Sequence, residues 1–86
     1  MSSIYQIIYH RNALKFLGKQ ANKDKHRIIE GINGLRLSPP TGDLKKIAGS
    51  TMLRLRIGSF RILFTINKMT ETIYIEAIGN RGDIYK

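Results

Sequence analysis

The sequence predicts a single α+β domain over residues 1–86, in strand–helix–helix–three-strand order, with a mostly antiparallel sheet and two N-terminal helices packed on one face. Three observations predict it. Apolar residues recur at helical spacing between residues 13 and 35. From Leu53 the pattern switches to period two. The alternating runs are joined by short segments of turn-forming residues.

Residues 3–9 are rich in β-branched and aromatic types and read as the first strand. Ala13, Leu14 and Leu17 mark a short helix that Gly18 weakens or ends. A second helix starts near Asn22 or Asp24, where Ile28, Ile29, Ile32 and Leu35 form one apolar stripe. Gly31 and Gly34 lower its stability without forbidding it, and Ser38-Pro39-Pro40 stops it. Residues 41–50 read as a loop carrying Lys45, Lys46 and Gly49. Leu53-Arg54-Leu55-Arg56-Ile57 alternates cleanly, and Gly58-Ser59 supplies a tight turn. The next strand, residues 60–66, sets Phe60, Ile62, Phe64 and Ile66 on one face. Residues 67–70 turn the chain into a last strand over 72–78, which Gly79-Asn80-Arg81-Gly82-Asp83 leaves.

Fifteen Lys and Arg against six Asp and Glu give a net charge of +9. That self-repulsion implies a polyanionic partner, with nucleic acid first. Absent cysteines exclude disulfides and thiolate metal sites. No metal-ligand cluster, Gly-rich phosphate loop or Ser/His/Asp arrangement occurs, so no metal and no cofactor are expected. His10 and His26 stand on polar segments and read as surface residues. The chain has no long apolar run, so neither a signal peptide nor a membrane span is expected.

The basic residues fall in a pattern. Arg54 and Arg56 lie two apart on a strand and share the face opposite Leu53, Leu55 and Ile57. Arg61 follows the turn on the face opposite Phe60 and Ile62, so the hairpin brings it beside that pair. No acid interleaves them in sequence, and the nearest candidate counter-charge is Glu76 on the last strand. Three planar guanidiniums on one face suit phosphate oxygens. Lys45 and Lys46 extend this RNA-binding set, as does Arg81 after the last strand. Tyr85 adds an aromatic ring suited to stacking on an unpaired base.

The stretch from Leu53 to Phe64 resembles the central hairpin of the RelE/ParE toxin superfamily. The closing Ile78-Gly79-Asn80-Arg81-Gly82-Asp83-Ile84-Tyr85-Lys86 resembles the end of its RelE-like branch. The helical pair, the Pro-Pro break and Leu44-Lys45-Lys46-Ile47-Ala48-Gly49 fit too, so the resemblance covers nearly the whole chain. It implies a RelE-like fold and a cytoplasmic type II toxin, an mRNA interferase that cuts messenger RNA in the ribosomal A site. That reaction uses the RNA's own 2′-hydroxyl, without metal. The resemblance also implies a neutralising antitoxin through which the complex binds operator DNA. By motif match the catalytic residues fall on Arg54, Arg56, Arg61, Arg81 and Tyr85.

One departure matters. Well-known members of the branch carry lysine at the positions of Arg54 and Arg56. Arginine stabilises a developing phosphorane by charge but stays protonated, so it is a poor general base. Tyr85 and the terminal carboxylate of Lys86 are the candidates to take the 2′-hydroxyl proton. Two alternatives stand beside the ribonuclease. One is a ParE-like toxin, whose branch poisons DNA gyrase; the other is an RNA-binding module without chemistry.

Overall fold

The computed structural model describes residues 5–37 and 42–80. β1 (Gln6–Tyr9) leads into α1 (Arg11–Gly18), α2 (Asn22–Asn33) and a 3-10 turn, Gly34–Arg36. Four strands follow: β2 (Asp43–Lys46), β3 (Leu53–Ile57), β4 (Phe60–Asn67) and β5 (Thr72–Asn80). They form one five-stranded sheet in the order β1-β5-β4-β3-β2, antiparallel except where β1 runs parallel to β5. The expected α+β class holds, as does the start of the order, one strand and then two helices.

Residues 41–50 were expected to be a loop, and this is corrected. Asp43–Lys46 is an edge strand paired with β3, so four strands rather than three follow the helices. Four residues with a single apolar member, Leu44, are too few to show a period of two. The last strand also runs on to Asn80 instead of ending at residue 78, because Gly79 and Asn80 pair with Arg61 and Phe60.

Both helices cover one sheet face, α1 over β5 and α2 over β3. Between them and the sheet lies the core, built on Ala13, Ile28, Ile32, Leu35, Leu55, Ile62, Phe64, Ile73 and Ile75. Leu53 and Ile57 pack against it, as their alternation with the arginines requires. Phe16 meets Phe60 edge to face, centroids 6.1 Å apart. Ile29 was placed on the buried stripe but is 39% exposed. Ile28, Ile32 and Leu35 carry the buried line, and Ile29 sits about 100° round the helix from Ile28.

Local chemistry fixes the ends. His10 caps α1, its Nδ1 accepting from the Asn12 backbone N–H at 3.1 Å. Gly58 sits at φ +58°, which the first position of the two-residue β3–β4 turn demands. Gly31 has a different role. A Cβ there would fall on Ile57 Cδ1, so the missing side chain lets α2 approach β3.

Two outcomes follow. Gly31→Ala sets alanine's gain in helix propensity, about 1 kcal/mol, against displacement of Ile57 Cδ1, and adding Ile57→Val, which deletes Cδ1, should release that conflict; denaturant melts should show a coupling of order 1 kcal/mol. Burial also pushes the Tyr9 phenol above its ordinary 10.0. The fold therefore keeps Tyr9 protonated where the unfolded chain ionises. Tyr9's share of stability should hold up to about pH 10 and fall above it, and pH-dependent melts of Tyr9→Phe should lack that fall.

Candidate nucleic-acid interface

The face of the sheet away from the helices carries the charged residues. The Gly58-Ser59 turn pairs Ile57 with Phe60 and therefore sets Arg56 directly opposite Arg61. Arg54 lies opposite Leu63 on the same face. On the outer side Asp43 pairs with Arg56 and Lys45 with Arg54. On the inner side Arg61 pairs with Gly79 and Leu63 with Ala77. One row thus runs Asp43–Arg56–Arg61–Gly79, and the next runs Lys45–Arg54–Leu63–Ala77.

The three hairpin arginines are brought together as the alternation predicts. The expectation that no acid lies among them is corrected. Arg56 Nε donates to Asp43 Oδ2 at 2.8 Å, and Arg54 Nη2 donates to Asp43 Oδ1 at 3.2 Å. One carboxylate is shared by two guanidiniums, and the three arginines keep a surplus of two positive charges. Asp43 escaped notice because it lies in the stretch read as a loop. A lone acid before Leu44-Lys45 was the only signal available.

The guanidiniums differ in exposure. The Arg56 side chain is 48% exposed and that of Arg54 only 13%. Arg54 Nε and Arg61 Nη1 are buried donors without a hydrogen-bond partner among the described residues. Buried donors of that kind are rare, and neither atom can meet an acceptor from outside unless its side chain moves. On this face Gly79 and Leu63 are themselves buried and Ala77 is partly buried.

Lys45 belongs to this face, but Lys46, opposite Leu53, falls on the helix-side parity and leaves the set. The parity of Glu76 is settled by a bulge. Pairing steps from Leu63 with Ala77 to Phe64 with Ile75, so Glu76 is an extra residue in β5. Its carboxylate accepts from Thr65 Oγ1 at 3.2 Å on the open face and does not pair with the arginines. Arg81, Tyr85 and Lys86 lie outside the described residues. Those residues hold no group of three or more His, Cys, Asp or Glu able to bind a metal, and no helix long and apolar enough to cross a membrane.

A five-stranded sheet with both helices on one face and a basic row on the other defines a small RelE/ParE-type toxin domain. The chain belongs to the ParE toxin family: the model of the ParE toxin of the type II toxin–antitoxin system, parDE, matches residues 5–85. The fold is similar to RelE in the archaeal RelE–RelB complex from Pyrococcus horikoshii, with TM-score 0.79 and 24% identity over 92% of this chain and 97% of that one. It is similar to RelE of the Methanococcus jannaschii RelB–RelE complex, with TM-score 0.72 and 26% identity over 91% and 94%. The isolated E. coli RelE toxin aligns at TM-score 0.75 and 14% identity over 94% and 90%. No curated protein matches by sequence.

Asp43 competes with any anion that approaches Arg54 and Arg56. Removing one charge about 5 Å from a phosphate in water-like surroundings is worth about 0.8 kcal/mol. Asp43→Asn should therefore tighten single-stranded RNA binding about fourfold in an anisotropy titration, while weaker binding would show that the carboxylate serves mainly to hold the guanidiniums in place.

Proposed function

We propose that this toxin is a ribosome-dependent, metal-independent endoribonuclease that cleaves messenger RNA in the ribosomal A site and so halts translation. The observation that carries this reading is the like-charged pair Arg56 and Arg61 in one cross-strand position, with Arg54 beside them and one carboxylate among the three. An RNA phosphate seated there meets the exposed Arg56 guanidinium, with Arg61 directly opposite it.

The chemistry needs no group from outside the RNA for attack. The 2′-hydroxyl oxygen loses its proton and bonds to the adjacent phosphorus, the P–O5′ bond breaks, and the departing 5′-oxygen takes a proton from water, leaving a cyclic phosphate and a 5′-hydroxyl. Negative charge grows on the phosphorane oxygens, and preorganised guanidiniums stabilise it where water is excluded. The arginines do not take the 2′-hydroxyl proton. We assign that step to Tyr85, and positioning of the nucleobase to Arg81 and Tyr85.

The partners follow the same reading. The Pyrococcus and Methanococcus structures are of RelE with RelB. A cognate antitoxin is proposed here, with an acidic segment that folds onto a chain of net charge +9. The ribosome and messenger RNA in the cytoplasm are the toxin's targets, and operator DNA is reached through the antitoxin.

A second reading is favoured by the family match itself. The matching model is that of the ParE toxin, and arginine in place of lysine at 54 and 56 removes two proton-exchanging groups from the site. On that reading the same row would dock on DNA gyrase. The cellular read-out separates the two, as cut messages on ribosomes or as gyrase-linked DNA breaks.

Expression without the antitoxin, followed by mapping of message ends on ribosomes, tests the first reading. Wild type should give new ends within codons. Arg61→Ala and Arg81→Ala should each lower cleavage by about a hundredfold or more and relieve growth arrest with the fold intact. Intact messages during wild-type arrest would refute it.

A further inference from the structure

We infer that Tyr74 is a stacking platform for an unpaired nucleobase of the RNA whose phosphate sits on the arginine row. The inference rests on the RNA reading above and adds a second contact point to it.

The open face is not uniform. At the β2–β3–β4 end it carries Asp43, Lys45, Arg54, Arg56 and Arg61. Toward β1 the cations give way to Tyr74 and Ile8 among the polar residues Gln6, Thr65 and Glu76. Tyr74 of β5 pairs with Thr65 on one side and Ile8 of β1 on the other. Tyr74 is 37% exposed and Ile8 44%, an aromatic ring and an aliphatic side chain adjacent in one sheet. Tyr5, Tyr9, Phe16, Phe60 and Phe64 all belong to the core or pack against it. Among the described residues, Tyr74 is therefore the one aromatic on the open face.

Charge complementarity decides the occupant. Arg61 and Thr65 are four residues apart on β4, about 13 Å along the strand. A short stretch of extended single-stranded RNA covers that gap. The bulge at Glu76 sets a carboxylate beside the Tyr74 end, where it accepts from Thr65 Oγ1. It disfavours a phosphate next to the ring, so the RNA backbone lies toward the arginines. A strand lying across β4 and β5 thus meets cations at its backbone and an exposed ring at a base. A flat ring accepts any base, so the contact adds affinity and register without a sequence code.

The test uses the full chain with two fluorescent probes of equal length, a short single-stranded RNA and its abasic counterpart. Tyr74→Ala should weaken the RNA about tenfold and leave the abasic strand unchanged, and Tyr74→Phe should keep both affinities, because stacking needs the ring and not the hydroxyl. Arg61→Ala should weaken both probes alike. Equal losses on both probes, or none, for Tyr74→Ala overturn the inference while the response of Arg61→Ala still judges the RNA reading. Weaker capture of the co-expressed antitoxin by Tyr74→Ala, with RNA binding unchanged, makes the patch a protein interface and also overturns it. Thermal melts of the variants verify the fold, and the indole introduced by Tyr74→Trp should be quenched by the RNA and not by the abasic strand.

Discussion

A two-residue turn forces Arg56 and Arg61 into one cross-strand position, and much of the functional face follows from that register. Like charges directly opposite in an antiparallel pair are destabilising. Here the repulsion is met on one side only, by Asp43 reaching across from the edge strand to Arg56 and Arg54. On the other side Arg61 faces Gly79, which has no side chain to answer it. Folding therefore leaves a surplus of positive charge on this face. The hydrophobic face beneath holds it there, because slipping the hairpin by one residue would expose Leu55, Ile62 and Phe64 and bury the arginines.

The alternation of Leu53, Leu55 and Ile57 with Arg54 and Arg56 was legible at once, since a period of two in a half-buried strand has one reading. The same parity brought Arg61 to the arginine pair. What could not be read lies where the period is short or broken. Asp43–Lys46 has too few residues to declare itself a strand, so Asp43 went unseen, and Lys46 was grouped with Lys45 although the register sends them to opposite faces. β5 carries an extra residue at Glu76, and a bulge shifts parity without leaving a mark in composition. Tyr74 was hidden for the same reason, because its face depends on which side of the bulge it stands. Helical periodicity overreached at Ile29, where an isoleucine beside a buried isoleucine turns outward.

The edge strand has a second consequence. β2 closes the sheet beside β3 and brings both an acid and a base, Asp43 and Lys45, to the arginines. The acid tempers the surface charge and holds Arg54 and Arg56 by the β2 side, while Lys45 adds a further cation to the row. The ledger of charge on this face is thus set by a strand that contributes a single partly buried apolar residue, Leu44, to the core. Family membership and the RelE-like fold are secure without it, but the strength and selectivity of anion binding depend on it.

The central claim is that the hairpin arginines take a phosphate of single-stranded RNA. Arginine side-chain N–H resonances followed by NMR during titration with a short RNA test it most directly. The Arg54, Arg56 and Arg61 guanidinium signals should move first and furthest as phosphate binds, while those of Arg27 on α2 and Arg36 after it stay in place. Unmoved Arg54 and Arg61 signals, with shifts confined to the helix side, would contradict it.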